Sequence, residues 1–398
     1  MHRLTLVTPD LPYPPNGGSK IKSYFLLKRL VPLFDVSLVS VLKGDDADHV
    51  AGLREDVDLS HVEVAPVDRP RNIKNLALSY AQRRTLNEFR TWSPELAERA
   101  VPLLEDSDVI VADHLETVQY VPEHLWERTV NHTHNAEHVL WRRYSNVSAA
   151  RLTRLVALSE SRRIGARELE YGNGCGATLA APADQSALKE LGVEGDRLYC
   201  TYHIGDDSFL DLPDVEWAGT EELVFFLGTL TWEANIDGLT WFLDDVWPQV
   251  VSERPNARFV IGGKNPPPEL LRRVDALDSV DAVGFVDDPE TFLEKARVVV
   301  APLRFGSGMK LKVTEALMRG VPTVTTNVGV ESIDAVDGVH LEVADDPAEA
   351  ASRIVGLLTD EQRWTAMRDH ARELARRLYT WDVVASDANA AINSVIAR

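Results

Sequence analysis

Three cations, Arg304, Lys310 and Lys312, surround the turn Gly306-Ser307-Gly308 in the stretch VVVAPLRFGSGMKLKVTEALMRGVPTVTT, Val298 to Thr326. Glycines let a backbone approach an anion closely, and the helix that follows offers unpaired N–H groups and the positive end of its dipole. Lys312 and Glu315 fall three apart on that helix, so a cation for phosphate and an acceptor for hydroxyls share one face. A second glycine pair, Gly17 and Gly18 in PYPPNGGSKIKSY, stands directly before a helix, with Lys20 beside it. In VNHTHNAEHVLWRRY an apolar run ends in His132, Thr133, His134, Asn135, Glu137 and His138. Polar groups at that density are expensive in a core and point to the wall of a site. Trp232, Asn235 and Asp237 follow a strand and a glycine in FFLGTLTWEANIDGLTWF, and AVGFVDD ends an apolar run at Phe285 and Val286, whose backbone could pair with a nucleobase. Each group also has a plainer reading: a tight turn before a solvated helix, a loop punctuated by proline and glycine, a helix capped by Asn135, an ordinary strand end.

Ligands of open parallel sheets bind beyond the carboxyl ends of the strands, so each group needs a strand before it and a helix after it. The first half supplies the strand RLTLVT, the helix SKIKSYFLLKRLVPL and the strand DVSLVSVL, then the strand candidates HVEVAPV, DVIVADH and RTVNHTH. These read as continuous apolar runs, which suits parallel strands covered on both faces. The helix SALKELG stops at Gly192. A polar, acidic stretch without periodicity, SFLDLPDVEWAGTEE, then precedes a second alternation of strand and helix from LVFFLG to VPTVTT. The expected fold class is α/β, with two doubly wound Rossmann-like domains at 1–207 and 208–378 and a final helix at 379–398. Trp241 and Trp247 are expected in helix core.

Composition narrows the function. A chain of 398 residues with formal net charge −20 has the wrong sign for a general nucleic-acid binder. Four of its few lysines, Lys20, Lys22, Lys310 and Lys312, flank the two glycine turns. The apolar run at the start is too short for a signal peptide or a membrane span. Two cysteines, Cys175 and Cys200, give neither a disulfide framework nor metal-ligand spacing, so cytoplasm is the expected compartment and no metal site is expected. Arg69, Arg71, Lys74, Arg83 and Arg84 form a basic patch; a solvated helical face is favoured there over contact with an anionic acceptor or a membrane surface.

Taken in order along the chain, these motifs resemble the GT-B glycosyltransferases, specifically glycosyltransferase family 4, the retaining glycosyl transferases group 1. GFVDDPETFLEKARVVVAPLRFGSGMKLKVTEALMRGVPTVTTNVGVESI is similar to the family's donor-binding half; PYPPNGGSK, HTHNAEH and FLGTLTWEANIDGLTWF are similar to its other loops. The resemblance implies two Rossmann-like domains facing across a cleft, with the helix after Trp381 crossing back to the first. It implies that Gly17 and Gly18 approach a donor diphosphate and that Lys312, with Arg304 or Lys310 assisting, neutralises it. Glu315 would accept from the nucleotide ribose, and Gly306, Ser307, Gly308 and Met309 would offer N–H groups. Phe285 and Val286 would bracket the base, Gly228, Thr229 and Asn235 would complete the donor site, and His134 would line the transferred sugar. The implied activity is metal- and cofactor-independent hexosyl transfer with retention, from a nucleotide sugar, UDP-sugar favoured, to a hydroxyl of a small-molecule, glycan or glycolipid acceptor. A nucleotide-sugar epimerase or hydrolase and a catalytically silent nucleotide-sugar-binding protein are the alternatives. Three departures stand out: Ser307 occupies the position eight before Glu315 where many members carry an acidic residue, GTLTWEAN replaces a Gly-Arg followed by Lys, and YHIGDDSF replaces the linking Pro-Asn-Gly.

Overall fold

Apolar β-rich runs at the start of each alternating segment pair side by side, as continuous hydrophobic strands must when helices cover both faces of the sheet. A computed structural model describes residues 1–16, 18–147 and 150–398. The chain divides into two units, Met1–His203 with Trp381–Arg398, and Ile204–Thr380.

The first unit holds β1 (Arg3–Thr8), β2 (Asp35–Leu42), β3 (His61–Pro66), β4 (Val109–Asp113), β5 (Thr129–His132), β6 (Ala177–Ala180) and β7 (Leu198–Cys200). They form one sheet in the order β3-β2-β1-β4-β5-β6-β7, each pair parallel. The strand order reverses between β1 and β4, which opens a crevice beyond their carboxyl ends. The sequence reading omits β6 and β7, because ATLA and LYC are too short to show a period. The helix Trp381–Ile396 belongs to this unit and packs on β5, β6 and β7. Its Trp381 is fully buried, with its ring stacked on Phe25 at 5.3 Å between centroids.

The second unit holds β8 (Glu221–Leu227), β9 (Arg258–Gly262), β10 (Val280–Gly284), β11 (Ala296–Ala301), β12 (Thr323–Thr325) and β13 (Glu342–Val343), in the order β10-β9-β8-β11-β12-β13 and again all parallel. Here the reversal lies between β8 and β11. The segment after β8 reads as one helix in the sequence; the structure winds Glu233–Trp241 as α-helix, Phe242–Val246 as a π turn and Trp247–Glu253 as α-helix. Pro248 explains the break, since its ring removes a donor and crowds the preceding turn. Trp241 and Trp247 are buried in this unit's core beside Phe242 and Phe259.

Candidate active site

In the second unit the groups converge at the reversal of strand order. The turn after β11 depends on glycine at two places, with φ of +144° at Gly306 and +71° at Gly308, values that L side chains rarely adopt. Lys310, the residue before the helix Leu311–Arg319, turns its ammonium back on the turn and donates to the carbonyls of Ser307, at 3.2 Å, and Gly308. Lys312 points elsewhere. Its Nζ donates to Asn235 Oδ1 at 2.7 Å and lies 4.1 Å from the centre of the Phe226 ring. The Asn235 amide is oriented in turn, with Nδ2 donating to the Thr229 carbonyl at 2.9 Å. Gly228 leaves room for this group: a Cβ there would lie 2.8 Å from the Lys312 Nζ and 3.0 Å from Asn235 Nδ2.

Glu315, one turn along the helix, is approached as closely. A Cβ on Gly205 would lie 2.1 Å from its Oε1, so the chain entering the second unit passes against the carboxylate only because residue 205 has no side chain. Burial lowers the Lys312 pKa to about 7, with Lys310 adding to the effect and Glu315 opposing it. Burial also raises Glu315 to about 7, with Asp206 adding and Lys312 opposing. Both groups therefore change charge near neutral pH, where an anion beside Lys312 would restore the ammonium.

The other residues expected in this half lie on the same sheet edge but in different states. Arg304 is exposed and forms a two-pronged pair with Asp237, Nε donating at 2.8 Å. Its charge is largely committed there, whereas the Lys312 ammonium is held against Gly228. The loops after β8, β9 and β10 are tied together: the Gly228 N–H donates to the Gly262 carbonyl at 3.0 Å and the Gly263 N–H to the Gly284 carbonyl at 2.6 Å. Phe285 follows and is 54% exposed, with the Lys264 Nζ 3.9 Å from its ring centre, while Val286 packs at Gly262. About half of Phe285 thus stays open to solvent, with the Lys264 ammonium over its ring.

In the first unit Gly17 lies outside the described residues, and Gly18 begins the helix Gly18–Leu30. His134 is buried in a network centred on Asp113, the last residue of β4. Asp113 Oδ1 accepts from His132 Nδ1 and from His134 Nε2, both at 2.7 Å, and Oδ2 accepts from the Ser23 hydroxyl. Burial alone would raise the Asp113 carboxyl, but His134 and His132 more than offset it and hold it well below the ordinary carboxylate range. Burial pushes His134 down to about 4 against the pull of Asp113. At neutral pH Asp113 is thus an ionised acceptor and His134 a neutral donor through Nε2, with Nδ1 as its acceptor nitrogen.

His114 and His203, whose ring lies 5.1 Å between centroids from that of His134, join this cluster, and sequence reasoning missed both along with Asp113; the first of them, His114, is the more unusual. Its backbone sits at φ +79°, its ring lies 3.6 Å between centroids from that of His134, and its Nε2 is 2.8 Å from the Ser19 hydroxyl. A non-glycine residue in that region is strained, and such strain gathers at functional sites. The only signal available beforehand was a charged-polar pair closing the apolar run DVIVADH at the strand-order reversal. Asp113, His132 and His134 also offer ligand atoms within 4.8 Å of one another and could hold a metal ion. With the carboxylate ionised, the two ring nitrogens facing it are its hydrogen-bond donors. Nearby, burial raises Glu137 to about 8, with Glu116 and Glu168 adding to the effect; its carboxylate accepts from Asn87 Nδ2 at 3.0 Å.

Comparison with known proteins adds to this geometry. Residues 221–360 match the family model described as Glycosyl transferases group 1. A curated protein of Klebsiella pneumoniae, described as an uncharacterized 44.6 kDa protein in the cps region, is 22% identical over 378 residues, covering 89% of this chain and 90% of that one. Among solved structures, HepE of Anabaena in complex with UDP and glucose superposes with a TM-score of 0.68 at 14% identity, over 99% of this chain and 100% of that chain. TarM of S. aureus, in a complex that includes UDP, gives 0.70 at 12% identity over 99% and 100%. WaaG, described as a glycosyltransferase involved in lipopolysaccharide biosynthesis, gives 0.67 at 15% identity over 98% of each chain. At these identities the structural likeness establishes the fold: α/β, with the two parallel sheets of the GT-B glycosyltransferases. With the family match on the second unit it supports a glycosyltransferase.

Proposed function

We propose that this protein is a retaining glycosyltransferase that moves a hexose from a nucleotide diphosphate sugar, UDP-sugar favoured, to a hydroxyl of a small-molecule, glycan or glycolipid acceptor. The observation that carries the reading is the Lys312 ammonium, held by Asn235 in the space that Gly228 leaves for it, one helical turn from Glu315. A diphosphate beside Lys312 places its ribose hydroxyls toward Glu315 and its base toward Phe285 and Val286. The turn Gly306 to Met309 then offers N–H groups to the donor, and Gly228, Thr229 and Asn235 complete its binding site. Gly17, Gly18 and His134 keep the roles that the family resemblance gives them.

In the reaction the bond from the anomeric carbon to the diphosphate oxygen breaks, and its electron pair leaves with the nucleotide. The acceptor oxygen bonds to the anomeric carbon on the same face, and its proton passes to the leaving phosphate. Positive charge builds on the sugar and negative charge on the diphosphate. Lys312 and the amino end of the helix Leu311–Arg319 stabilise that leaving charge, with Arg304 and Lys310 assisting, and no divalent ion takes part. UDP in the HepE and TarM complexes supports the choice of base.

Thermal stabilisation by a panel of nucleoside diphosphates and their sugars tests this, run on the wild type and on Glu315→Ala. A ligand at a hundred times its dissociation constant adds roughly 2.7 kcal/mol to the native state. One diphosphate is expected to raise the wild-type melting temperature, and the variant to lose most of that shift. If none of the panel does so, the donor reading fails. If a bound nucleotide sugar is cleaved without any acceptor, the hydrolase alternative replaces transfer.

A further inference from the structure

The proposed donor site leaves a neighbouring cation without a role. Lys264 stands two residues beyond β9, exposed, with its Nζ 3.9 Å from the centre of the Phe285 ring. Among the described residues the ammonium takes part in no ion pair, and an exposed cation gains little from the face of a ring, so it can leave that ring for a stronger partner. The backbone that carries the pair is braced. The Gly263 N–H donates to the Gly284 carbonyl at 2.6 Å, which ties the residue before Lys264 to the residue before Phe285. A Cβ on Gly262 would lie 2.8 Å from Val286 Cγ2, so the segment after β10 rests directly on the end of β9. Beyond Lys264 the chain is held as well: Asn265 adopts a left-handed conformation at φ +54°, and Pro266, Pro267 and Pro268 restrict the entry to the helix Pro268–Asp275. Two loops thus present a cation and an aromatic ring together, at the place where the donor reading puts the base.

A lysine ammonium carries only donors and no acceptor. Beside a nucleobase it attracts an exocyclic carbonyl oxygen and repels an exocyclic amine, whose hydrogens already hold partial positive charge. Uracil and guanine carry a carbonyl where cytosine and adenine carry the amine. Stacking on the Phe285 ring makes no such distinction, because every base offers a flat π-face. Uracil and cytosine differ only at this group and in the proton on the adjacent ring nitrogen, so their sizes are nearly the same. A charged donor at the edge of the base separates them where neither shape nor stacking can.

We propose that Lys264 sets the choice of base, selecting a keto base, uracil or guanine, over an amino base, cytosine or adenine. The inference rests on the donor reading above, since it needs a base at Phe285 and Val286. The test is calorimetric titration of the full chain with UDP, CDP, GDP and ADP, on the wild type, Lys264→Met and Lys264→Arg. The wild type is expected to bind a keto nucleotide at least about tenfold more tightly than its amino counterpart, because hydrogen bonds to a charged group are the stronger kind. Methionine keeps the apolar stem and loses the charge, so that preference is expected to fall by about tenfold, through weaker binding of the keto nucleotide. Lys264→Arg keeps a charged donor and is expected to retain most of the preference. The side chain is exposed, so the melting temperatures of the free variants are expected to match the wild type. A preference that Lys264→Met leaves unchanged overturns the inference, while the binding itself upholds the donor reading. Equal binding of keto and amino nucleotides by the wild type has the same meaning, as does an equal loss for all four in Lys264→Met. If no nucleotide binds the wild type, the donor reading fails and this inference fails with it.

Discussion

Each unit places titratable side chains at the reversal of its strand order, but the two clusters are built on opposite principles. In the first unit Asp113 receives hydrogen bonds from Ser23, His132 and His134, so the ionised carboxylate is satisfied by the protein itself. In the second unit Lys312 has a neutral partner in Asn235, and burial drives both it and Glu315 toward neutrality near pH 7. A network already complete contributes rigidity and a fixed tautomer. Groups desolvated short of a full counter-charge hold binding free energy in reserve for a ligand that supplies one.

Removing the Lys312 ammonium should therefore have the largest effect. Lys312→Ala is expected to lower the transfer rate by about 10²–10³, the range found when a group stabilising transition-state charge is deleted, with little loss of thermal stability. Equal losses of stability and rate would show that the second cluster is as structural as the first. Asp113→Asn should behave in the opposite way. Asparagine keeps one oxygen for the two histidines and turns a donor toward the Ser23 hydroxyl, but the loss of the ionised acceptor, whose hydrogen bonds are the stronger kind, should cost about 1–3 kcal/mol of stability. The melting shift produced by nucleotide should survive in that variant; its disappearance would erase the distinction between the clusters.

A pH titration separates the two more finely. Bound diphosphate favours charged Lys312, whose pKa in the free protein is about 7. Nucleotide-sugar affinity should then peak near pH 7, falling above it as Lys312 loses its proton and below it as Glu315, the ribose acceptor, gains one, each by up to about tenfold per unit. Calorimetry at several pH values measures this, and Lys312→Arg should flatten the alkaline limb alone. The smallest effect is expected at Arg304, whose guanidinium is exposed and paired with Asp237. Arg304→Ala should change donor affinity by no more than about threefold, the scale of an exposed ion pair; a loss near that of Lys312→Ala would mean that Arg304 leaves Asp237 for the donor.

Much of the fold is legible in the residues. Continuous apolar strands, alternation with helices, and stops such as Gly192, which adopts φ +110°, act locally and leave a periodic trace. The Gly306 to Lys312 segment announces itself for the same reason, because turn, cations and helix start are contiguous. What stays hidden depends on encounters between distant residues. Nothing in Gly205 or Glu315 tells that they touch across 110 positions of chain, and nothing in HTHNAEH tells that its histidines donate to the last residue of another strand. The assignment of Arg304 and Lys310 had to stay open because sequence spacing cannot say which of three neighbouring cations turns inward. The structure gives Arg304 to Asp237, folds Lys310 back onto the turn and directs Lys312 toward Gly228.

The helix Trp381–Ile396 completes the unit that holds Met1–His203, so the strands of that stretch wait for a helix that the whole second unit separates from them in sequence. Until Trp381 can stack on Phe25 and the helix can cover β5, β6 and β7, the earlier part of that unit leaves apolar surface open to water. The second unit, contiguous from Ile204 to Thr380, has no such dependence. It can fold during synthesis while the first remains unfinished, and loss of the helix Trp381–Ile396 would damage the unit on the other side of the second in sequence.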